Sequence, residues 1–508
     1  MTLKAPNDRS QSYAHDSAPA MLHLLERASA GADPAFERRV FSNRTLRMET
    51  IEVICFDLDW TLAAYDRELL HRLIFDTALE RLVDRYGYPA EIRSAEFRSD
   101  FAHRGLLIDK AAGTVVKMDR HFFVGRAYLG RRLLTSIERM DLYRRERVDM
   151  RRTRFYHVDT LFELAEVNLF SELVELVQRG VIACGARVFE GIFEDVRHAV
   201  DGVHADGTLK SRIIEDLPRL LPDDADLPLT IKKLALTGRR LLLISNSEWY
   251  YTDAVCQYLF ARAAPDREWQ KLFDLIVVSA RKPLFFRDQS PFSAIDDDGN
   301  PAGTVEAPVW GGRYIGGSRD KLTPLLGVPG ERVLYVGDHI YSDILATKMR
   351  STWRTMLIVS ELEEELRIRR RLLDDLGRYT DLNNVMSDLG RRLENARDVV
   401  RLRALLGSEA SSDERTELAD LDRAVQELAD GHEVVRRRAS MIDDRIITEF
   451  NPYWGSVFKQ GSSQSLFGSQ VDAFACLYTS RVSNLLAYGN SHYFRVMSDP
   501  MIHEIQQS

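Results

Sequence analysis

ICFDLDWTLAAY, residues 54–65, places two aspartates directly after a short apolar run. The run, Val53–Phe56, is continuous, which is typical of a strand buried on both faces of a sheet. Asp57 and Asp59 follow it at a spacing of two, and alternate residues of a strand point to the same side. The stretch therefore predicts a pair of carboxylates at the end of a buried strand.

Apolar runs of the same kind recur later in the chain, at Leu241–Ile244, Leu275–Val278, Val333–Val336 and Met356–Val359. Buried strands set between helical stretches predict an α/β fold, a Rossmann-like doubly wound parallel sheet with helices on both faces. Ligands bind such sheets beyond the carboxyl ends of the strands. Turn capping explains any one polar residue there, but four polar strand ends predict a site. The residues at these ends are Asp57, Asp59, Ser245, Asn246, Ser247, Lys282, Asp338 and Asp343.

The carboxylates suit phosphoryl transfer. An aspartate such as Asp57 is a competent nucleophile toward phosphorus, and it forms an acyl phosphate. A neighbouring carboxyl such as Asp59 can protonate the leaving alkoxide and then activate water. A phosphate group brings negative charge that a cation must offset. Mg²⁺ prefers carboxylate oxygens as ligands, and Asp338 would supply a further carboxylate.

The other strand ends suit the phosphate itself. Lys282 would neutralise the oxygens of the transferred group. Ser245, together with the backbone N–H groups of Asn246 and Ser247, would hold the phosphate by hydrogen bonds. The four strand ends thus combine a nucleophile, an acid–base group, a metal site and a phosphate cradle.

The composition narrows the class of protein. The chain has 508 residues and a net charge of −8, so no global basic field indicates nucleic acid or a membrane as a partner. No apolar run approaches the roughly 18 residues that a membrane-spanning helix needs. Widely spaced cysteines argue against a zinc cluster or a disulfide framework and suit a reducing, cytoplasmic location. They are Cys55, Cys184, Cys256 and Cys476.

The spacing of the motifs predicts how the chain is divided. Asp57 and Ser245 are 188 residues apart (245 − 57), far more than one strand crossover needs. Most of this stretch should form a cap that binds the substrate. The Gly-, Pro- and Asp-rich residues 286–315 predict a hairpin or long loop with its turn at DDGN. The expected divisions are a disordered arm at 1–38, a catalytic core at 39–65 and 236–361, the cap at 66–235, and a helical C-terminal region at 362–508 that packs partly on the core.

Residues 362–450 are charged and have a helical pattern, which GSEASSDERTE interrupts at residues 407–417. The pattern predicts a helical hairpin with this loop at its tip. A coiled-coil assembly element and a solvated pair of helices both fit the pattern, and the sequence does not separate them.

The motifs DLDWT, LISNS, the lysine of RKP, and GDHIYSD resemble, in this order, the haloacid dehalogenase superfamily of aspartate-nucleophile phosphatases. The second aspartate points to phosphate-ester hydrolysis, because dehalogenases and transport ATPases lack it. Longer stretches are similar to the cytosolic purine 5′-nucleotidases, the type II family that prefers IMP and GMP, from about Arg39 to Arg495. These stretches are FDLDWTLAAY, SNSEWYYTDAV, ARKPLFF, GGSRDKLTPLLG, VLYVGDHIYSDIL, TWRTMLIVSEL and SQSLFGSQV.

The resemblance implies roles for the strand-end residues. Mg²⁺ would be held by the carboxylates of Asp57 and Asp338 and the backbone carbonyl of Asp59, and Asp343 would orient these ligands. The substrate would be a purine nucleoside 5′-monophosphate, hydrolysed through an aspartyl phosphate. Transfer of that phosphate to a nucleoside would be a side activity. The family is commonly tetrameric, so a homo-oligomer is expected.

The resemblance also implies a base site in the cap stretch GIFEDVRHAVDGVHADGTLK, residues 191–210. Arg197, Asp201 and His204 share one face of a helix, next to an apolar stripe. In the family the matching arginine and aspartate read the purine edge, the histidine lies beside the base and a lysine reaches the phosphate. From the residues alone, an Arg–Asp pair on a solvated face fits as well. The implied binding residues are Phe162, which would stack on the base, Arg197, Asp201, His204 and Lys210.

The sequence departs from the family at three positions. Glu163 stands where family members carry an amide, and Ala205 replaces an aromatic residue beside His204; both bear on base preference. Ser463 stands where animal relatives carry a basic residue that contributes to nucleotide activation, so a nucleotide effector is expected to act weakly or differently. Two other interpretations stay open: a phosphatase of another small phosphate ester, and a non-catalytic nucleotide-binding or scaffold protein.

Overall fold

The computed structural model describes residues 33–143, 153–183, 185, 187–262, 264, 268–296, 299–406 and 412–496. Contacts divide the chain into two compact units: residues 1–363 with 457–508, and residues 364–456. Of the predicted arm at 1–38, residues 1–32 lie outside the described part, and Phe36–Arg38 form a 3-10 turn.

The largest sheet of the first unit has ten strands. They are β1 (Phe41–Ser42), β2 (Val53–Phe56), β3 (Arg240–Ile244), β4 (Leu275–Val278), β5 (Phe292–Ile295), β6 (Pro301–Val305), β7 (Arg313–Gly316), β8 (Val333–Gly337), β9 (Arg354–Ile358) and β10 (Leu477–Thr479). Across the sheet they lie in the order β1-β10-β9-β8-β2-β3-β4-β7-β5-β6. The strands from β10 to β7 in this order are parallel to one another. β1 pairs antiparallel with β10 at one edge, and β5 and β6 add antiparallel pairs at the other.

The apolar runs of the sequence are the parallel strands of this sheet. Every residue of β2, β4 and β8 is buried, as expected for strands covered on both faces. All five predicted strands are confirmed, and β2 and β4 have the predicted bounds. The α/β fold class, with a parallel sheet and a long insertion after its first motif, is confirmed as well.

The chain between β2 and β3 contributes helices and a second sheet. This sheet has five antiparallel strands in the order Arg132–Leu133, Val124–Leu129, Thr114–Met118, Leu106–Asp109 and Phe155–His157. The longest described helices of this stretch are α1 (Arg67–Tyr86), α2 (Leu164–Gln178) and α3 (Val188–Ala205). Further helical segments are Ala90–Ser94, Ser136–Tyr143, Leu161–Glu163, Thr208–Glu215, Leu217–Leu220 and Asp226–Leu236.

Local sequence signals set these helices. α1 begins after Asp66, whose carboxylate accepts a hydrogen bond from the N–H of Leu69 at 2.9 Å. It ends before Gly87, which has a φ of 73° in the left-handed region that glycine adopts without strain. The predicted apolar stripe of α3 is buried: Phe193, Val196, Val200 and Val203.

Residues 286–315 contain the predicted hairpin. β5 and β6 pair antiparallel, and residues 297 and 298 of the predicted turn lie outside the described part. Further helical segments of the first unit are Met48–Thr50, Trp249–Phe260, Glu268–Leu272, Leu284–Phe286, Arg319–Leu326, Gly330–Arg332, Ile340–Leu345, Ala346–Arg350 and Val482–Ala487.

The second unit is the predicted helical hairpin. Its long helices are α4 (Leu373–Leu406) and α5 (Ser412–Phe450), and the preceding helix is Leu362–Arg371. Ile368, Leu372 and Ile446 form a small buried cluster within the unit. Neither these helices nor any other described helix is long and apolar enough to cross a membrane.

The tail after the hairpin differs from the expected helical region at 362–508. Residues 457–496 belong to the first unit and contain α6 (Leu466–Phe474) and β10. β10 pairs in parallel with β9, so this part of the tail is a strand of the main sheet. Two short antiparallel pairs complete the tail, Lys459–Gln460 with Ser463–Gln464, and Leu46–Arg47 with Tyr493–Phe494.

Candidate active site

The strand register brings the predicted motifs to one edge of the sheet. The N–H of Asp57 donates to the carbonyl of Val336 at 2.9 Å, and the N–H of Ser245 donates to Val277 at 2.8 Å. The backbone ladder therefore continues one step past β2 and β3. Asp57 is placed beside the end of β8, where Asp338 follows.

Asp57 and Lys282 form the centre of the site. The Lys282 Nζ atom lies 2.7 Å from Asp57 Oδ1 and 3.0 Å from Asp343 Oδ1, and it donates to the Tyr335 hydroxyl at 3.1 Å. Asp57 Oδ1 also accepts the N–H of Leu58 at 2.7 Å. The side chain of Lys282 is only 2% exposed, so these contacts are made out of water.

Burial and neighbouring charges shift the acidity of this cluster. Burial raises the pKa of Asp57 to about 7; the Lys282 ammonium opposes the shift, and the Asp343 carboxylate adds to it. Burial alone would lower the pKa of Lys282, but the carboxylates of Asp343 and Asp57 raise it above its ordinary value. Lys282 is thus the ammonium partner of two buried acidic groups.

Asp57, Asp338 and Asp343 form a compact acidic cluster. One oxygen from each lies within 4.8 Å of the others, and it is the one candidate metal-binding group among the residues that the structure describes. Burial raises the pKa of Asp338 well above its usual range, and Asp343 and Asp57 add to the shift. Asp338 Oδ2 is buried without a hydrogen-bond partner. A carboxylate set with an unpaired oxygen fits a hard divalent cation.

Asp59 has a different environment from Asp57. Its Oδ1 accepts the Tyr65 hydroxyl at 2.6 Å, and its Oδ2 accepts the Ser247 hydroxyl at 2.7 Å. The Tyr65 hydroxyl also contacts the Tyr251 hydroxyl at 2.7 Å. Hydroxyl groups thus fix both Asp59 oxygens, whereas Asp57 contacts the ammonium.

The turn after β3, residues 245–247, makes contacts that differ in part from those expected. The Asn246 side chain holds the backbone of Lys282, donating to its carbonyl at 3.2 Å and accepting its N–H at 2.6 Å. The N–H of Ser247, expected to face the phosphate, donates to Ser245 Oγ at 3.0 Å. The Asn246 amide therefore positions the lysine.

Phe162 contacts both the turn after β2 and the cap helix α3. Its ring centroid is 5.9 Å from that of Trp60, which follows Asp59, and 5.4 Å from that of His204, with edge-to-face geometry in both pairs. His204 Nδ1 bonds the Val200 carbonyl at 2.8 Å, which fixes the ring on its own helix. The predicted base-stacking residue and the predicted base neighbour are therefore in contact.

Arg197 is held by carboxylates. Its Nη1 donates to Glu166 at 3.0 Å, to Glu163 at 3.3 Å and to the Tyr156 hydroxyl, and its Nε lies 3.3 Å from Asp201 Oδ2. Burial raises the pKa of Glu166 to about 8, against the effect of Arg197. Both oxygens of Glu163 are occupied within the cap, so Glu163 fixes Arg197 instead of facing solvent.

Lys210 approaches the site from the cap. Its Nζ pairs with the exposed Glu248 and lies 5.5 Å from the ring centroid of Tyr251. Tyr251 contacts Tyr65, which donates to Asp59, so Lys210 is linked to Asp59 through two tyrosines. The predicted phosphate lysine is thus near the site, and its contact here is a carboxylate.

Four residues at this edge were missed from sequence. Tyr335 donates to Asp343 Oδ1 at 3.2 Å, and Tyr65 orients Asp59. The Arg104 Nη1 donates to the carbonyl of Asp338 at 2.7 Å, and Arg104 pairs with Glu361. Tyr65, Tyr335 and Glu361 lie in quoted motifs, where they could have been noticed. Arg104 lies outside these motifs and meets the site through long-range folding.

The buried Asp–Lys cluster at the carboxyl edge of a parallel sheet defines a class, the phosphate-ester hydrolases with an α/β core. A model of the 5′ nucleotidase family matches residues 40–506. The chain belongs to this family and is a 5′-nucleotidase, an enzyme that hydrolyses 5′-nucleotides. The family resemblance seen in the sequence is confirmed.

A curated relative agrees with this membership. A 5′-nucleotidase domain-containing protein of Dictyostelium discoideum is 29% identical over 463 residues, which cover 88% of this chain and 72% of that protein. Among solved structures, the crystal structure of CbbY from Rhodobacter sphaeroides in complex with phosphate covers 61% of this chain and 86% of that chain. The identity is 17% and the TM-score 0.21, so this likeness carries no argument.

Proposed function

We propose that the chain hydrolyses purine nucleoside 5′-monophosphates, preferring IMP and GMP to AMP, with Mg²⁺ as cofactor and Asp57 as nucleophile. The observation that supports this most is the separation of two neighbouring carboxylates. Asp57 contacts the Lys282 ammonium at 2.7 Å, whereas hydroxyl groups hold Asp59. Two carboxyl groups with different environments suit a nucleophile and an acid–base group.

The reaction that we propose uses these two carboxyl groups in turn. An Asp57 oxygen attacks the phosphorus, and the bond to O5′ breaks as the aspartyl phosphate forms. Asp59 gives its proton to O5′, which leaves as the nucleoside hydroxyl. Asp59 then removes a proton from water; the water oxygen bonds to phosphorus, phosphate leaves, and both carboxyl groups return to their starting states. Interception by a nucleoside instead of water would give phosphotransfer.

The acidic cluster would hold the cofactor. We assign the Asp57 and Asp338 carboxylates and the Asp59 backbone carbonyl as ligands, with Asp343 orienting them. Mg²⁺ supplies positive charge against the phosphate oxygens when it is bound. The unpaired Asp338 Oδ2 supports this assignment, because a buried carboxylate oxygen needs a partner.

The phosphate would be held by hydroxyl, amide and ammonium groups. We assign the Ser245 hydroxyl and the backbone N–H of Asn246 to the phosphate oxygens, together with Lys282. Ser247 contributes through Asp59, which its hydroxyl contacts at 2.7 Å. Lys210 would exchange its contact with Glu248 for the phosphate when substrate enters.

The base would be read by Arg197 and Asp201. Within the described part of the chain, Nη2 of Arg197 and Oδ1 of Asp201 have no hydrogen-bond partner, while Nε and Oδ2 pair with each other at 3.3 Å. A free donor beside a free acceptor complements a carbonyl next to a ring N–H. Hypoxanthine and guanine present this pattern and adenine does not. Phe162 and His204 would flank the ring.

The direct test is kcat/KM for IMP, GMP, AMP, CMP and UMP with Mg²⁺. We expect IMP and GMP to exceed AMP by roughly 10²-fold, because a site built around polar groups rejects a ligand that leaves them unpaired. Equal values for IMP and AMP would exclude base reading by this helix face. A higher kcat/KM for another small phosphate ester than for IMP and GMP would exclude nucleotides as the preferred substrates.

The remaining assignments rest on the family. We propose a catalytic core at 39–65 and 236–361 with the cap at 66–235, a cytoplasmic location, and a homo-oligomer, with a tetramer as the family form. A nucleotide effector would act weakly, because Ser463 offers no charge to a polyphosphate.

A further inference from the structure

Arg104 is a buried cation that the proposed mechanism does not use. It belongs to the segment inserted between β2 and β3, and its side chain is 0% exposed. Its Nη1 donates to the backbone carbonyl of Asp338 at 2.7 Å. A side chain from the cap therefore bonds the main chain of a candidate metal ligand in the core.

Glu361 and Phe467 fix the position of Arg104. The Nε and Nη2 atoms donate to the two oxygens of Glu361 at 2.9 and 2.5 Å, which is a bidentate arrangement. The guanidinium carbon lies 5.1 Å from the ring centroid of Phe467 in α6. Gly105 permits this packing, since a Cβ built there would lie 2.5 Å from Cβ of Phe467 and its φ is 85°. Arg104 therefore has little freedom to move.

Asp343 constrains the main chain around Asp338 as well. The N–H of His339 donates to Asp343 Oδ2 at 3.3 Å, and a Cβ built on Gly337 would lie 2.6 Å from Asp343 Oδ2. Asp343 and Arg104 thus hold residues 337–339 between them. Metal ligands tolerate errors of only about 0.2 Å, so the orientation of this turn decides whether Asp338 can bind.

We propose that Arg104, locked by Glu361, is a positioning residue for the metal centre: it holds the Asp338 carbonyl and thereby aims the Asp338 carboxylate at the cation. The inference rests on the proposed metal site at Asp338. It gives the inserted segment a second task besides substrate binding. The divalent cation binds tightly only while Arg104 of this segment is packed against the core.

Mg²⁺ binding to the full-length protein tests the proposal without relying on turnover. The test variants are Arg104→Lys, which keeps the charge but cannot reach the carbonyl and both carboxylate oxygens, and Glu361→Gln. Asp338→Asn is the reference for the metal site. Arg98→Lys is the matched control, because Arg98 also pairs with a buried carboxylate, Glu172 at 2.9 Å, and lies 3.9 Å over the Phe101 ring, all within the inserted segment.

The Mg²⁺ dissociation constant is measured by calorimetry, and the unfolding midpoint with and without Mg²⁺ reports folding. We expect Arg104→Lys and Glu361→Gln to raise the constant by about 10- to 100-fold, as loss of a group that orients a ligand does. Arg98→Lys should keep the wild-type constant even where it lowers the midpoint. At saturating Mg²⁺, the loss of kcat in the test variants should be smaller than at limiting Mg²⁺. Their KM for IMP should stay at the wild-type value.

The outcomes are distinguishable. Wild-type Mg²⁺ affinity in Arg104→Lys, with affinity lost in Asp338→Asn, overturns the role of Arg104 and leaves the proposed metal site intact. Wild-type affinity in Asp338→Asn overturns the metal site and the inference with it. An equal loss of affinity in Arg98→Lys and Arg104→Lys overturns the specific role, because any damage to the segment would then suffice.

Discussion

At the scale of single residues, Asp57 and Asp59 are separated by their neighbours. The sequence predicted that both carboxylates reach one place, because alternate residues of a strand share a side. It could not predict that Lys282 contacts the first and that Tyr65 and Ser247 contact the second. Lys282 and Ser247 come from other segments of the chain and reach the site through strand register, whereas Tyr65 follows in the same stretch as Asp59.

Glu163 shows the same limit in the base site. From the sequence, Glu163 was recognised only as a departure from the family's amide that bears on base preference. Glu163 accepts hydrogen bonds from Tyr156 and Arg197, and Arg197 also donates to Glu166. No periodic pattern in the sequence predicts these contacts. The physical role of Glu163 is to orient the arginine.

Arg197→Ala should remove the preference among bases while leaving the phosphate chemistry in place. We expect the ratio of kcat/KM for IMP over AMP to fall by roughly 10²-fold, because the donor for the purine carbonyl is lost. The same ratio is measured for Arg212→Ala, a control on the next cap helix, where no change is expected. A ratio that survives in Arg197→Ala would assign base reading to other groups.

At the scale of elements, continuous apolar runs were predictable and strands of mixed composition were not. The five predicted strands each contain such a run and were recognised by it. β10 has three residues, and its partner β9 lies more than a hundred residues earlier, so its role depends on long-range pairing. The antiparallel sheet of the cap was not predicted, because charged residues such as Asp109, Lys117 and Arg126 interrupt its apolar runs. The pair of Arg104 and Glu361 spans 257 residues and was equally out of reach.

Helix α1 offers a test at this scale. Asp66→Ala removes the carboxylate that accepts the N–H of Leu69, and it should lower the free energy of unfolding by about 1 kcal/mol. Asp66→Asn should be nearly neutral, because asparagine caps helices about as well as aspartate. Thermal or urea unfolding of the two variants gives the comparison. Equal destabilisation by both substitutions would show that charge, and not capping, is the stabilising factor.

At the scale of the whole molecule, buried histidines couple folding to pH. Burial lowers the pKa of His71 and of His103 to about 3, from an ordinary value near 6.5. Between these values the unfolded chain binds protons that the folded chain does not, so each histidine costs stability as pH falls below about 6.5. Buried Glu166, with its raised pKa, acts in the opposite sense, so single histidines must be isolated by difference.

The effect of one histidine is the difference in unfolding free energy between its variant and the wild type. From pH 7.5 to pH 5.5 each buried histidine should cost about 1.4 kcal/mol, so the stability of His71→Gln relative to wild type should rise by that amount. His103→Gln should behave alike, because burial lowers the pKa of His103 in the same way. Unfolding free energies at the two pH values provide the measurement. A pH-independent difference for His71→Gln would mean that His71 binds its proton as readily in the folded protein as in the unfolded chain.

The central claim is that Asp57 is the nucleophile of a 5′-nucleotidase, and Asp57→Asn tests it most directly. The substitution keeps the shape of the side chain, so the unfolding midpoint serves to show that the fold is intact. Phosphate release from IMP in the presence of Mg²⁺ is the measurement. We predict a loss of about 10⁴-fold or more relative to wild type, because the attacking carboxylate is gone. A folded Asp57→Asn variant that releases phosphate at a substantial fraction of the wild-type rate would contradict the account.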